Sequence, residues 1–449
     1  MLLEFKVRNF LSFDNEQVLS MNAGKGRNYN DRTYKGRYHK VLKFASLFGA
    51  NGSGKSNFVK AVSFSRNYIV SGNNRATIQK YFKLNSINKD ASSLFEFKII
   101  IDEKLYTYGF EIILSKNEIV AEWLVYNTVK NDKIIYKYDK NNNSFEIGDY
   151  FKNKNLKSVL KIYADGVNSS NGVLFLKDIC KYNNLYIDYS ESTILRIIYN
   201  WFRNNLKVKF PDSKVTDYAY FMSEDNIDKI KNFFNDFDLS ISDYKFIDCP
   251  QEQIALKLPK ETFENLFARI EKDLLEGDDI ENNRVLFGLQ DDFYVARFSD
   301  NQVKCETIQF FHEGTNIPFY MNEESDGTKK IFKLLEILFQ NDDNIVYVVD
   351  EIDRCLHPLL TYNFINAFLS KAKTSNCQLI VTTHETLLLD FNLLRKDEMW
   401  FVSKENGTTK LKPLGVTKER ADKKLVKAYL LGNNAVPNIK DNAYKSWFA

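Results

Sequence analysis

The chain has 449 residues, of which 44% are hydrophobic and 27% are charged, with a formal net charge of +3. These proportions are ordinary for a folded protein and exclude intrinsic disorder, and the length suggests two or three structural units. The nearly neutral charge gives no overall electrostatic case for nucleic-acid binding, although it leaves room for a local basic face.

Cysteine usage and hydropathy set the expected environment. The five cysteines are scattered and form no CxxC motif, which argues against a structural zinc site or a disulfide framework. Charges interrupt the opening segment MLLEFKVRNFLSF, so it predicts a strand rather than a signal peptide. No run approaches the roughly 18 apolar residues that span a bilayer. We therefore expect a soluble, cytoplasmic protein with no membrane partner.

The first predicted elements surround a glycine-rich loop. Alternating apolar positions in residues 1–20 predict paired edge strands, and the polar residues 21–40 predict a loop. The apolar run from Phe44 to Phe48 is typical of a buried strand and leads directly into the glycines. Residues 57–68 then have helical character.

The middle of the chain changes from strand to helix patterns. Aromatic and aliphatic segments between Phe95 and Tyr126 predict an antiparallel sheet, with hairpin turns at Asp102-Glu103 and Lys116-Asn117. Amphipathic helices are predicted over 192–206, 226–237 and 261–275. We interpret their apolar faces as packed core, because heptads are not sustained.

Strands and helices alternate in the last third of the chain. Strands are predicted over 293–312, 345–349, 379–383 and 399–402, and helices begin near Gly327 and after Pro358. Such alternation predicts a parallel sheet with helices on its faces.

The strongest chemical signal is the glycine loop from Gly49 to Ser56, which reads GANGSGKS and fulfils GxxxxGK[ST] between a strand and a helix. Backbone N–H groups of such a loop surround phosphate oxygens. Lys55 is expected to reach the β- and γ-phosphates of ATP, and Ser56 to ligate Mg²⁺. The residues expected to contact the nucleotide are Gly49, Asn51, Gly52, Gly54, Lys55, Ser56 and Asn57.

Two carboxylates follow the predicted strand 345–349. Asp350 is expected to hold Mg²⁺, and Glu351 to act as general base or to orient the attacking water. His384, at the end of the next strand, is placed to sense the γ-phosphate, although a lone histidine is often purely structural. Together Glu351, His384 and Lys55 are the predicted catalytic residues.

The segment ESDGTKK opens a helix before the Asp350 strand. Ser325 has the character of a plain helix N-cap, and Gly327 follows it. The same geometry also makes an anion site, which could bind the γ-phosphate of another subunit.

This order of motifs resembles the ABC ATPase superfamily. The closer resemblance is to ATPases of abortive-infection and phage-defence systems (the AbiL, RloA and PARIS AriA type), relatives of SMC and RecF-like DNA-repair ATPases. It is carried by FKVRNFLSF, GANGSGKSN, FNDFDLSISDYKF, ESDGTKK, VVDEIDRCLHP, QLIVTTHETLLLD, LRKDEMWFVSK and KAYLLGNNAVP. It implies that Ser325 and Gly327 complete the site of a second copy, and that Leu356-His357-Pro358 lies at the dimer seam.

The resemblance also implies a fold class and its boundaries. We expect an α/β ABC-type P-loop NTPase head, with a mixed core sheet, an antiparallel β-subdomain and a mainly helical insertion. The N-terminal half of the head is assigned to residues 1–149, the insertion to 150–290, and the C-terminal half to 291–449.

Some positions depart from the superfamily or remain open. The chain has ESDGT where transporter cassettes have LSGGQ, which disfavours a transporter. Gln79 is a weak candidate for the Q-loop glutamine and is otherwise a surface residue. Arg8 and Asn9 are placed either near the nucleotide or on a solvated edge. The block from Leu394 to Asp397 is interpreted as a solvated charged turn.

The expected function is that of an ATP-hydrolysing defence ATPase, at least a dimer, that senses DNA or a phage protein and controls a separate effector. No TOPRIM signature follows His384 and no nuclease histidine cluster is present, so any toxic activity is expected to belong to a separate partner, such as a TOPRIM-type nuclease. The alternative is a DNA-repair ATPase of the RecF/SMC type. A scaffold with degenerate nucleotide sites is disfavoured by the intact motifs.

Overall fold

A computed structural model describes residues 1–24, 29–72, 79–168, 172–213, 219–237, 239–275, 284–289, 292–299, 302–340 and 343–414. The chain forms two compact units. The first unit comprises Met1–Pro211, Asp342–Asp353 and Thr361–Ala449, and the second comprises Asp212–Asn341 and Arg354–Leu360. Within the described ranges, no helix combines the length and apolar character that crossing a membrane requires.

The β-strands follow one another in chain order. They are β1 (Leu2–Arg8), β2 (Gln17–Ser20), β3 (Thr33–Lys35), β4 (Lys40–Leu42), β5 (Phe44–Phe48), β6 (Ser93–Ile101), β7 (Lys104–Ile113), β8 (Glu118–Asn127), β9 (Lys133–Asp139), β10 (Ser144–Ile147), β11 (Leu206–Lys209), β12 (Ile241–Asp248), β13 (Arg284–Leu289), β14 (Asp292–Ser299), β15 (Gln302–His312), β16 (Pro318–Tyr320), β17 (Val346–Val349), β18 (Gln378–Thr383), β19 (Met399–Glu405) and β20 (Thr408–Pro413).

The α-helices are numbered in the same way. They are α1 (Lys55–Ser71), α2 (Lys154–Asn168), α3 (Phe175–Ile179), α4 (Asn183–Asp188), α5 (Thr193–Asn200), α6 (Ala219–Met222), α7 (Glu224–Asp236), α8 (Gln251–Ala255), α9 (Lys260–Leu275), α10 (Asp326–Phe339) and α11 (Pro358–Lys371).

The first unit contains two large sheets. One has the order β10-β9-β8-β7-β6-β1-β2 and is antiparallel throughout. The other has the order β11-β17-β18-β5-β19-β20, in which all neighbours are parallel except β19 and β20. Buried residues of both sheets and of α1 belong to one hydrophobic core. Shared burial of this kind makes the P-loop helix a central element of the unit.

Aromatic contacts fix α1 against the antiparallel sheet. Phe58 packs edge-on against Phe5 of β1 with ring centroids 5.6 Å apart, and Phe64 lies 5.0 Å from Phe95 of β6. Edge-to-face and tilted pairs at these distances add to the free energy of simple burial.

A buried carboxylate joins the same sheet to α3. Glu122 of β8 accepts hydrogen bonds from the hydroxyls of Tyr108 and Tyr136 at 3.0 and 2.8 Å. It also accepts from the backbone N–H groups of Phe175 and Leu176 at 2.6 and 3.0 Å. Burial raises the pKa of the Glu122 carboxyl, and these four donors oppose that rise.

The second unit is built on a five-stranded sheet with the order β12-β15-β14-β13, to whose β15 the short β16 also pairs. Helix α10 packs through Phe332, whose ring lies 5.4 Å from Phe221, 5.2 Å from Phe234 and 4.6 Å from Phe310. The middle of α10 is therefore fixed by a packed aromatic cluster.

The expected fold class is confirmed: an α/β head with a mixed core sheet and an antiparallel subdomain. The predicted turn at Asp102-Glu103 joins β6 to β7 with φ angles of 47° and 60°, the left-handed pair typical of a two-residue hairpin. Two details differ from expectation. β1 lies between β2 and β6 rather than at an edge, and the predicted loop 21–40 contains β3 and the start of β4.

The compact units divide the chain differently from the three predicted segments. The predicted insertion 150–290 does contain mostly helices, with β11, β12 and β13. Residues up to Pro211 nevertheless belong to the first unit, because Leu176 and Phe202 are buried in its core and β11 joins its parallel sheet. The second unit begins at Asp212 and extends to Asn341, beyond the predicted boundary.

The block Leu394 to Asp397 is not a solvated turn, which corrects the interpretation made from sequence. Arg395 is 5% exposed, and its guanidinium donates to both carboxylate oxygens of Asp397 at 2.8 and 2.7 Å. The fully buried Glu398 accepts from the Arg395 N–H at 2.8 Å, and burial raises the pKa of its carboxyl to about 8. These charges fix the entry to β19, beside β5.

Candidate functional site

The strand order brings three chain segments to one sheet edge. β18 lies between β17 and β5, and all three are parallel, with Val349 opposite Val381 and Thr383 opposite Phe48. The P-loop follows β5, Asp350 follows β17 and His384 follows β18. Because the carboxyl ends of parallel strands meet at one edge, the predicted residues of the first unit converge there.

Glycines allow the backbone path of the P-loop. Gly52 and Gly54 have φ angles of 75° and 110°, which side-chain-bearing residues rarely adopt. A Cβ on Gly54 would overlap the Thr409 side chain, and one on Gly49 would overlap the Val402 carbonyl. Apart from the two chain neighbours of Gly52, no atom of the described residues lies within 4 Å of where a Cβ on Gly52 would stand, so the loop leaves room at that position.

Lys55 is buried at the start of α1. It is 5% exposed, and its ammonium group donates to the carbonyls of Gly49 and Ala50 at 2.6 and 3.1 Å. Burial lowers the Lys55 pKa to about 8, and the neighbouring Asp353, Asp350 and Glu351 carboxylates oppose that shift. The lysine and the carboxylates that follow β17 therefore share one electrostatic environment.

Hydroxyl groups from distant parts of the chain form hydrogen bonds with the P-loop and the residue after it. The fully buried Thr409 of β20 donates to the Ser53 carbonyl at 2.8 Å, and its hydroxyl lies 2.7 Å from that of Ser12. Ser12 also accepts from the Asn57 amide at 2.8 Å. The Asn57 amide, which the sequence assigned to nucleotide contact, is thus used to hold the loop.

Thr382 connects the two carboxylate residues. Its buried hydroxyl donates to the Asp350 carboxylate at 2.6 Å and accepts from the Glu351 N–H at 2.8 Å. The Asp350 N–H in turn donates to the Lys209 carbonyl at 2.9 Å. Glu351 has a φ of 47°, a conformation that is unfavourable for a non-glycine residue and that this hydrogen bond helps to maintain.

Asp353 holds the backbone of His384. Both of its carboxylate oxygens accept from the His384 N–H, at 3.3 and 3.2 Å. Burial, and secondly the Lys55 charge, lower the pKa of the half-buried His384 imidazole, so the ring is neutral at pH 7. The histidine is therefore placed beside the carboxylates and the lysine, as the sequence predicted.

Ser325 and Gly327 lie at the start of α10 in the second unit. Ser325 caps the helix by accepting from the Thr328 N–H at 3.1 Å, as the N-cap interpretation predicted, and it remains exposed. A Cβ on Gly327 would lie 2.9 Å from the Cys355 carbonyl, so glycine permits this close approach. His357, in the segment expected at a dimer seam, is also exposed.

The residues before Ser325 are braced against the sheet of the second unit. The Glu324 carboxylate lies 2.8 Å from His312 Nε2 of β15. Asn322 donates through its backbone and its amide to Asp292 of β14, both at 3.1 Å. Hydrogen bonds to β14 and β15 therefore fix the residues that precede the exposed start of α10.

Three other candidates have hydrogen-bond partners outside the residues described above. Arg8 donates to Glu111 at 3.2 Å on the antiparallel sheet. Asn9 is 2% exposed, and its amide donates to the Asn88 carbonyl at 2.9 Å, so it is a structural residue. Gln79 is exposed and pairs with Lys83 at 3.5 Å.

Sequence reasoning missed four residues of the site. Thr382 and Asp353 flank the predicted motifs, and a polar residue at the end of a buried strand was an available signal. Ser12 and Thr409 carried no such signal, because Thr409 is 356 positions from Ser53 and only the fold makes them neighbours.

The residues present fit a magnesium nucleotide. The open space beside Gly52 leaves room for phosphate, and the first turn of α1 supplies backbone donors. Oxygen ligands suit Mg²⁺, and the hydroxyl of the half-buried Ser56 and the fixed Asp350 carboxylate are ligands of this kind. Ser56 and Asp350 would therefore hold the ion.

We predict that Thr409→Val weakens ATP binding by about tenfold, because a hydrogen bond that fixes the P-loop is lost. Thr409→Ser keeps the hydroxyl and is the matched control, with affinity close to that of the parent protein. Titration with a fluorescent ATP analogue measures both. Equal affinity of the valine and serine variants would contradict the proposed support.

We also predict that ATP affinity falls as pH rises through about 8, the pKa of Lys55, because only the ammonium form attracts phosphate. Above that pH the loss should approach about tenfold per pH unit. Binding titrations between neutral and alkaline pH test this. Lys55→Arg stays protonated and should give a flat profile, whereas an equally steep profile would assign the effect to another group.

A comparison with known protein families gives a match for this chain. The family described as "AAA domain, putative AbiEii toxin, Type IV TA system" matches residues 44–157 and 202–390. These ranges include the P-loop, Ser325, Asp350, Glu351 and His384. A search of curated proteins gives no match.

Among solved structures, the SMC head domain from Thermotoga maritima is 14% identical, covers 92% of this chain and 98% of its own, and has a TM-score of 0.34. A Smc head domain with an extended coiled coil, bound to the C-terminal domain of ScpA derived from Pyrococcus furiosus, is 14% identical. It covers 96% of this chain and 99% of its own, with a TM-score of 0.39.

The family match spans more than half of the chain, and its ranges contain the motifs that carried the resemblance. The resemblance to ABC-like ATPases of the abortive-infection type is therefore confirmed, and the chain belongs to the AbiEii-type AAA-domain family.

Proposed function

We propose that this protein hydrolyses ATP in a site completed by a second copy of the chain, and that this engagement controls a separate effector in phage defence. The observation that carries the first part is the shared environment of Lys55, Asp350, Glu351 and His384 at one sheet edge. The defence role is supported by the AbiEii-type family match.

The chemistry follows from the positions of these side chains. Lys55 binds the β- and γ-phosphates. Ser56 and Asp350 would hold Mg²⁺, and the chemistry supplied there would be neutralisation of phosphate charge. Glu351 orients the attacking water and accepts its proton. The Thr382 bridge keeps Asp350 and Glu351 in fixed relation, so ion binding and water activation depend on one hydroxyl group.

His384 is suited to report the state of the γ-phosphate. Its neutral ring accepts or donates one hydrogen bond at each nitrogen, so it can bond a phosphate oxygen without adding a charge. Its backbone is held by Asp353, in the segment that continues from Glu351. Loss of the γ-phosphate would therefore change the interactions of the segment from Glu351 to Asp353, which contains the base.

The second copy supplies the other face of the nucleotide. Ser325 and the first turn of α10 are exposed and present backbone N–H groups and the positive end of a helix dipole, which attract an anion. Two ATP molecules would hold two copies together, and hydrolysis would let them separate. The nucleotide thus sets an equilibrium between engaged and separate copies.

We predict that Glu351→Gln lowers ATP turnover by about 100-fold or more, because the base is lost while binding residues remain. With ATP and Mg²⁺ this variant should have the mass of a dimer by light scattering. Lys55→Ala should bind no ATP and stay monomeric. Turnover by Glu351→Gln at the parent rate would reject Glu351 as the base.

The same measurement tests the role of Ser325. Adding Ser325→Arg to Glu351→Gln places a bulky side chain at the proposed contact and should abolish the ATP-dependent dimer. Adding Ser370→Arg, at an exposed serine near the end of α11, is the matched control and should leave the dimer intact. Dimers of equal stability in both double variants would exclude the shared site.

The effector role predicts ATP-dependent association with the product of a neighbouring gene, such as a TOPRIM-type nuclease. Co-purification should succeed with Glu351→Gln in ATP and fail with Lys55→Ala. A DNA-repair ATPase would instead show salt-sensitive binding of duplex DNA by this chain alone. That result, without association in any nucleotide state, would favour the RecF/SMC-type alternative.

A further inference from the structure

The second unit contains an open cleft of about 830 Å³. Its walls are one face of α9, the end of β12 with the turn into α8, and the beginning of β15. None of the residues assigned to the nucleotide lines it. The volume lies in the range of sites that bind ligands or short peptide segments.

The helical wall combines aromatic and acidic side chains. Phe263, Glu264, Phe267, Ala268 and Glu271 line the cleft, and their spacing places them on one side of α9. The two phenylalanine rings lie 4.4 Å apart and are half-buried, while the other three residues are exposed. This wall offers an apolar surface with carboxylates beside it.

The opposite wall combines two buried cysteines with polar side chains, and two of its backbone carbonyls already have donors. Beyond the last β12–β15 pair, the Cys249 N–H donates to the Cys305 carbonyl at 2.7 Å, and both cysteines are buried. The Gln251 amide donates to the Val303 carbonyl at 2.6 Å, where an added strand would otherwise bond. Recognition at this cleft therefore rests on side chains rather than on strand addition.

The charge of the lining is unbalanced. Asp248, Glu252, Glu264 and Glu271 line the cleft together with the single cation Lys304. Two of these carboxylates have ion-pair partners outside the lining, but at the long distances of 3.9 Å for Asp248 and 4.0 Å for Glu264. Exposed pairs of this length contribute little, so the rim remains attractive to cations and repels phosphate.

We propose that this cleft binds a cationic, amphipathic segment of a partner protein. Apolar side chains of the segment pack against Phe263 and Phe267, and its lysine or arginine side chains face Glu264 and Glu271. Apolar burial supplies affinity, and the carboxylates supply orientation and discrimination against acidic segments. The inference goes beyond ATP hydrolysis, because the binding requires no nucleotide.

The probe is a fluorescein-labelled peptide of three Leu-Lys-Lys-Leu repeats, titrated with the full-length protein and followed by anisotropy. We expect saturable binding, and binding about tenfold weaker or worse for peptides with Glu in place of Lys or Gly in place of Leu. The Gly peptide has the same charge as the probe. If it binds as well as the probe, the attraction is purely electrostatic and the proposal is wrong.

Charge reversal locates the site. Glu264→Lys with Glu271→Lys should weaken probe binding by about tenfold or more, whereas Glu261→Lys with Asp273→Lys should change it by less than about twofold. The control pair makes the same charge change on the same helix, at positions that do not line the cleft. Equal affinity of the two double variants would overturn the proposal.

A third variant blocks the cleft sterically at an exposed position, and folding controls accompany all the variants. Ala268 is exposed, so Ala268→Arg narrows the cleft without entering the core and should weaken binding of the probe. Unchanged thermal unfolding and ATP turnover of these variants would show that only the cleft is altered. Absence of saturable probe binding, with ATP turnover intact, would reject the cleft as a peptide site and leave the proposed ATPase function standing.

Discussion

Parallel pairing of β18 between β17 and β5 is the constraint on which the candidate site depends. It aligns the P-loop, the Asp350-Glu351 pair and His384, which are far apart in sequence, at one edge of a sheet. Each segment leaves its strand at the carboxyl end, where ligands bind in open α/β sheets. A shift of one residue in either pairing would turn the polar side chains away from the edge.

At this edge of the sheet, hydrogen bonds stabilise a buried charge and an unfavourable backbone conformation. The buried Lys55 has a lowered pKa, and Glu351 has a left-handed backbone. Carbonyl groups of the P-loop accept from the lysine, and Thr382 accepts from the Glu351 N–H. Electrostatic interactions are stronger in such a poorly solvated environment than in water. Small displacements of these groups therefore change their interaction energies strongly.

Within the second unit, β15 runs from the proposed peptide-binding cleft to the residues that support the start of α10. β15 begins with residues that line the cleft and ends at His312, which contacts Glu324 next to the Ser325 cap. A partner segment in the cleft would therefore contact the same strand that braces the start of α10. This continuity gives a physical basis on which partner binding and nucleotide binding could influence each other, through differential contacts in two states.

Local patterns alone determined the elements and the motif residues. The glycine loop, the apolar runs before it and before Asp350, and the hairpin at Asp102-Glu103 each depend on a few neighbouring residues, and the structure has them where they were predicted. The interpretation of Leu394 to Asp397 failed because three charged residues in a row give no sign that one of them is buried. Arg395 is buried by contacts with segments hundreds of residues away, including Asn30.

What the sequence by itself determined was therefore the P-loop, the carboxylate pair, the histidine and the family they indicate. Only the tertiary structure decided that Thr409 and Ser12 hold the loop, that the Asn57 amide donates to Ser12, and that residues up to Pro211 join the first unit. The physical reason is that motifs are encoded by adjacent residues, whereas burial and hydrogen-bond partners are set by strand order and register over long separations.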